Sequence, residues 1–251
     1  MRILCLLAVL ALGACAAIPP AGGDAATTGP NLKLADAAMA GGAPDVALRV
    51  VGGVLAEHPD DVAALVQEGA ALAALGRDDQ ATLSYQRALA FQPASREARL
   101  GLARLKLRSD PAEAAMLFGA VLRGRPDDVT ALVDRGIAED LQGQHGAAEA
   151  SYRAALAVQP DNTAAEVDLA LSLALAGHAR QAVEMLRPLA ASPWASGAAG
   201  GGAGRRVADD LAVALAMNGE TQAASELLAP ELSASQITAA ITAYQELGPT
   251  P

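Results

Sequence analysis

The chain is short of cysteine: Cys5 and Cys15 are its only two among 251 residues. Both fall in the first fifteen positions, so cysteine usage says nothing of a redox fold further on. A basic tail is also missing. Lys and Arg number 18 against 28 Asp and Glu, for a net charge of −10. Nucleic-acid binding rests on neutralising phosphates, and this balance argues against it. After the first dozen residues no apolar run reaches the roughly 18 uncharged positions of a membrane-spanning helix. Catalytic clustering is absent too. His58 stands beside Pro59, and His145 and His178 fall in expected inter-helix turns. Three isolated histidines without a His/Cys/Asp cluster read as surface residues, so no metal ligand, cofactor site or catalytic residue is assigned. Paired carboxylates, Asp60-Asp61, Asp78-Asp79 and Asp127-Asp128, recur at helix starts, where they can cap amides and meet the positive helix end.

What is present begins with a processing signal. Arg2 supplies a positive start, and Ile3 to Leu12 are apolar, a length suited to a signal-peptide core. Small residues Gly13 and Ala14 then precede Cys15. Leu12-Gly13-Ala14-Cys15 resembles the lipobox of bacterial lipoproteins. That resemblance implies cleavage after Ala14, diacylation of the Cys15 sulfur and a third acyl chain on its amine. Several acyl chains anchor firmly where one holds marginally. An ordinary secretory signal with an incidental cysteine is the competing reading; a disulfide with Cys5 is not compatible with removal of residues 1–14. Ala16, rather than Asp, follows the cysteine, which in the lipoprotein family points to the outer membrane of a double-membraned bacterium. Residues 15–30, rich in Ala, Gly and Pro, read as a lipidated flexible tether.

A period near 34 organises the rest. Prolines stand at 59, 93, 126 and 160, with Pro193 following. Twelve residues before the first four lie Ala47, Ala81, Ala114 and Ala148. Eight before lie Val51, Tyr85, Phe118 and Tyr152, and five before lie Val54, Ala88, Val121 and Ala155. Ten after come the small residues Gly69, Ala103, Gly136 and Ala170. Each unit reads as two antiparallel helices that bury an apolar face only by stacking. Gly76 ends a first helix, Ala81, Tyr85 and Ala88 line the second, and Pro93 stops it. The register resembles the tetratricopeptide-repeat (TPR) family. The implied fold is an all-α superhelical solenoid of helix pairs: a TPR-like array of about five units over residues 31–194. Its first helix is short, around Asn31 to Ala40. Unit three is one residue short near Ser109-Asp110-Pro111, and Leu186 replaces the aromatic in unit five. Residues 195–204, Gly- and Ala-rich, read as a linker; no strand precedes them and no Gly-Lys-Ser/Thr follows, against a phosphate loop. Residues 205–251 read as a sixth helix pair and a C-terminal capping helix. That last helix starts at Ser233, with Gln236 completing a capping box and Ile237, Ala240, Ile241 and Tyr244 on one face.

In TPR proteins the first helix of each unit lines a concave groove. Carried over by register, that face holds Val66, Ala70 and Ala73, then Leu100, Arg104 and Arg108. It continues with Val133, Ile137 and Asp140, then Val167, Leu171 and Ala174. Its apolar character suits an amphipathic helix or apolar strand as ligand, or the protein's own C-terminal segment. Arg96, Arg99, Arg104, Lys106 and Arg108 form a basic cluster, either a solvated face or a docking point for an acidic partner, with Arg104 and Arg108 best placed.

The lipobox, five units, linker and closing "LAVALAMNGETQAASELLAPELSASQITAAITAYQEL" together resemble TadD-type lipoproteins of Flp (tight adherence) pilus assembly. The resemblance implies a non-enzymatic scaffold that assembles or localises the outer-membrane pilus secretin or other Tad components. Other envelope TPR lipoproteins (type IV pilus pilotins, outer-membrane protein assembly factors) and a tether or regulator of a cell-wall enzyme remain alternatives.

Overall fold

The computed structural model describes residues 25–192 and 201–247. The signal segment 1–14, Cys15, the tether as far as residue 24 and residues 195–200 of the linker lie outside the described residues. Thirteen helices run through what is described: α1 (Ala25–Ala40), α2 (Pro44–Glu57), α3 (Val62–Ala74), α4 (Asp78–Phe91), α5 (Arg96–Lys106), α6 (Pro111–Gly124) and α7 (Val129–Asp140). They continue with α8 (His145–Val158), α9 (Thr163–Leu175), α10 (Ala179–Ala190), α11 (Gly201–Met217), α12 (Thr221–Leu228) and α13 (Ala234–Glu246).

Local chemistry sets the ends of these helices. Side chains of Asp61, Asp110, Asp128 and Asn162 accept from the backbone N–H three residues on, at 2.9–3.0 Å. They satisfy amides that the first turn leaves without partners. First helices end on glycine: Gly42, Gly76, Gly143, Gly177 and Gly219 all have positive φ, between 70° and 90°. There the following N–H reaches back to the last turn, as in Arg77 N–H to Leu72 O at 2.9 Å and His178 N–H to Leu173 O at 2.8 Å. This closure needs a left-handed residue, which glycine adopts without a Cβ clash. The α5–α6 turn alone lacks the glycine, and it is the turn of the unit that is one residue short.

Helices pair in order, α1 with α2 through α11 with α12, and each pair stacks on the next. First helices of neighbouring pairs approach one another, α1 to α3, α3 to α5, α7 to α9 and α9 to α11. Second helices make no comparable approach, so the stack curves with the first helices inside. The repeat positions are the core. Ala81, Ala88, Ala114, Phe118, Ala148 and Ala155 are fully buried, with Val51, Tyr85, Tyr152 and Leu186 at 4% exposure or less. Small residues bring helices together and one large side chain per unit fills the gap, each worth about 2–3 kcal/mol when buried. Helix α13 closes the far end. Gln236 Oε1 accepts from the Ser233 N–H at 2.9 Å, and Ile241 is buried while Ile237, Ala240 and Tyr244 pack on the same core.

Two boundaries differ from expectation. Helix α1 begins at Ala25, so residues 25–30 of the expected tether are helical and the first helix is not short. Pro30 lies inside it and leaves one backbone acceptor, four residues earlier, without its donor; Ala25 and Ala26 are the best helix formers. Helix α11 begins at Gly201, so residues 201–204 of the expected linker are helical. Packing of α11 against α9 and α10, with Gly204 buried, overrides the poor propensity of its glycines.

Candidate functional site: the inner face of the helix stack

The inner face is built on close approach. The Tyr85 ring lies between Gly69 of α3 and Gly101 of α5, and the Tyr152 ring packs on Gly136 of α7. A Cβ at Gly69 would stand 2.7 Å from Tyr85 Cε1, and one at Gly136 2.5 Å from Tyr152 Cε1. Both rings are buried, and burial raises both phenol pKa values, so they are neutral.

The groove residues read from register lie on first helices as expected, but in different roles. Leu100, Val167 and Ala174 are buried, part of the core beneath the groove. Val66, Ala70, Ala73, Val133, Ile137 and Leu171 are half-buried and remain accessible. Asp140 is a junction between helices: it accepts from Tyr152 Oη at 2.9 Å on α8 and from Ser172 Oγ at 2.7 Å on α9, and pairs with His145 Nδ1 at 2.8 Å. His145 is therefore half-buried and partnered, not the isolated surface residue its sequence context suggests; its place at the start of α8 brings it over the end of α7.

The basic cluster is largely spoken for. Arg96 forms a two-pronged pair with Asp128, one arm at 2.8 Å, and Asp128 at the same time caps α7. That pair holds the Asp128 carboxyl below its usual range, through the Arg96 hydrogen bonds first and the Ala131 N–H second. Arg99 Nη2 donates to Pro93 O at 2.6 Å, Arg104 Nε to Asp134 at 2.7 Å, and Lys106 meets Glu113 at 2.8 Å. Arg108 alone of the five is exposed with no ion pair among the described residues. The Arg96 and Arg104 links also join α5 to α7, where the helices themselves approach less closely.

A row of carboxylates lies outside the groove positions that register assigns. Asp134, Asp168 and Asp210 each stand two residues before the small-residue position, occupied by Gly136, Ala170 and Ala212. All three are shielded, with side chains 14%, 6% and 15% exposed. Arg206 of α11 bonds Asp168 and stands 3.6 Å from Asp210, whose Oδ2 has no hydrogen-bond partner. Burial pushes all three carboxyls up, against the pull of Arg104 or Arg206; Asp210, with Asp168 and Asp209 adding repulsion, reaches about 6. The signal was legible: the same residue type recurs in phase in units four, five and six.

Elsewhere, a cleft of about 610 Å³ runs along α10, lined by Arg180, Val183, Arg187, Pro188 and Glu220. Arg187 and Glu220 pair across it at 3.0 Å. It lies on a second helix, away from the inner face.

This architecture has relatives of known structure. PilW, described as a widely conserved type IV pilus biogenesis factor, is 26% identical with a TM-score of 0.68, over 81% of this chain and 91% of PilW. A tetratricopeptide repeat protein from Parabacteroides merdae has a TM-score of 0.64 at 15% identity, covering 89% of this chain and 86% of its own. The fold is a tetratricopeptide-repeat solenoid. TTC0263, a TPR protein of Thermus thermophilus, is similar over 64% of this chain with a TM-score of 0.57 and 22% identity. No protein-family model matches. An uncharacterised protein of Sinorhizobium fredii, y4yS, is 33% identical over 111 residues, 44% of this chain and 60% of y4yS. The match thus spans little more than half of that relative. The half-buried apolar side chains of the inner face are set among shielded carboxylates and the arginines that reach them.

Proposed function

We propose that this protein is a lipid-anchored TPR scaffold of the bacterial envelope, held through Cys15 after cleavage following Ala14, that uses its inner face to assemble or localise a Flp/Tad-type pilus apparatus. The partner on this reading is the outer-membrane pilus secretin or another Tad component, the protein faces the periplasm, and its work is non-enzymatic. The observation that carries it is the combination of Leu12-Gly13-Ala14-Cys15 with a stack of six helix pairs closed by α13. The likeness to PilW, itself described as a pilus biogenesis factor, supports a pilus context and favours a second reading, a type IV pilus pilotin or related factor, over an outer-membrane protein assembly factor.

Replacement Cys15→Ser tests the anchor. Lipid labelling and membrane retention are expected to vanish while helicity is unchanged; labelled Cys15→Ser protein would overturn the anchor. Co-purification of a pilus secretin with the wild-type chain, and not of unrelated outer-membrane proteins, separates the Tad reading from the alternatives.

A further inference from the structure

The interior of units four to six combines two features that neither the fold nor its anchor requires. One is an apolar band. Ile137 on α7 and Leu141 just past its end, Leu171 and Leu175 on α9, and Val213 and Met217 on α11 stand four residues apart at equivalent register positions of three successive first helices. Leu141 is 56% exposed and the other five are half-buried. Four-residue spacing puts each pair on one helix face, so the band runs across the groove as a continuous apolar floor.

The other feature is charge of one sign. Helices α7, α9 and α11 carry seven carboxylates and three arginines. Asp134, Asp168 and Asp210 lie along the band, Asp209 beside them is half-exposed and pairs with Arg205 at 3.2 Å, and Asp210 Oδ2 is shielded without a hydrogen-bond partner. Burial outweighs the one arginine each shielded carboxylate can reach, so negative charge is held in poorly solvated surroundings. A cation laid over the groove would relieve that penalty.

From this juxtaposition we infer that the groove of units four to six takes a cationic amphipathic segment of a partner protein, with apolar side chains on the Ile137–Met217 band and Lys or Arg side chains over Asp134, Asp168, Asp209 and Asp210. The inference rests on the interaction-scaffold reading and gives its ligand a sign. Segments of this chain do not fit: residues 1–24 carry only Arg2 and Asp24, and residues 193–200 and 248–251 carry no charge. A second copy brings a net charge of −10, and the cations of its α5 are mostly engaged by its own carboxylates. The α5 arginines therefore leave the acidic half of the groove as the selective part, and charge complementarity fixes register and encounter rate there.

The test uses the full chain and three fluorescent 18-residue helical peptides sharing one leucine stripe, with the polar face built from Lys, from Glu or from Ser. Binding is followed by anisotropy at low and moderate salt. Preferential binding of the Lys peptide is expected, weakened about tenfold by Asp209→Asn with Asp210→Asn, weakened by added salt, and unaffected by Arg123→Glu, exposed on the second helix α6. Those asparagines remove charge without adding bulk, and circular dichroism checks that the array stays folded. Preference for the Glu peptide, or equal binding of all three, would overturn the inference and leave the scaffold reading standing. Binding of none would overturn it as well, and capture of a partner at Ile137 in native envelopes then decides the scaffold reading separately.

Discussion

At the scale of single residues, the solenoid depends on where a side chain is withheld. Gly136 admits the Tyr152 ring, which is 1% exposed and has nowhere to move. Gly136→Ala gains about 1 kcal/mol of helix propensity but drives a Cβ into the ring, and overpacking costs about 1–3 kcal/mol. A net loss of up to about 2 kcal/mol is expected in urea unfolding. Gly53, inside α2 with open space where a Cβ would go, gives the opposite sign. Gly53→Ala should stabilise by about 0.5–1 kcal/mol, since only the helix-propensity term remains. Equal effects of the two alanines would remove the close-approach explanation of the repeat.

At the scale of the element, ion pairs replace backbone proximity where the repeat is irregular. The third unit lacks the turn glycine, α5 and α7 approach less closely, and Arg96 reaches Asp128 across the gap while Asp128 caps α7. Arg96→Ala would leave a carboxylate that is 4% exposed without its charged partner. A loss of about 2–3 kcal/mol is expected, at or below the lower end of the roughly 3–5 kcal/mol that breaking a fully buried pair costs, because Arg96 is 25% exposed and the Ala131 N–H remains. Hydrogen exchange should quicken first at the start of α7; uniform quickening across the array would contradict that placement. Elements of this kind show how far the sequence could be read. Helix pairing, the buried alanine and aromatic register, the capping carboxylates and the closing face of α13 all follow from phase alone, because each is a local periodic signal. The starts of α1 and α11 do not, since Pro30 inside α1 reads as a breaker, and the glycines of α11 are held helical by packing on α9 and α10 that sequence composition does not express. The inner face was half legible. Phase placed Ile137 and Leu171 on it, but not that Arg104 is paired, that Asp140 ties three helices together, or that Asp134, Asp168 and Asp210 form a shielded row. Those rest on side-chain partnerships between different helices, most of them 30 to 38 positions apart.

At the scale of the whole molecule, the carboxylate row makes stability depend on pH with a definite sign. Asp210 ionises near 6 when folded against 3.8 for an unperturbed aspartate, so the folded state binds more protons between those values. Stability contributed by its neutral form is present at low pH and lost as pH rises through about 6; Asp134 and Asp168, also raised, act the same way. Asp128 opposes them only below the ordinary aspartate value of 3.8, where protonation forfeits the Arg96 pair. Unfolding midpoints should therefore rise as pH is lowered from 7 toward 5 and fall again below about 4. Asp210→Asn should flatten the upper limb, worth on the order of 1 kcal/mol between pH 7 and 5. A midpoint that falls steadily from pH 7 downward would show that these carboxylates are solvated and ionised.

The central claim, that the inner face is where this scaffold holds its partner, is tested most directly by site-specific photo-crosslinking in native envelopes. A photo-reactive residue at Ile137, on the inner face, is compared with one at Met116, which is 68% exposed on a second helix. Discrete crosslinked protein at Ile137 and little at Met116 is the expected result. Equal yields at both sites, or capture at Met116 alone, would contradict a partner seated in the groove.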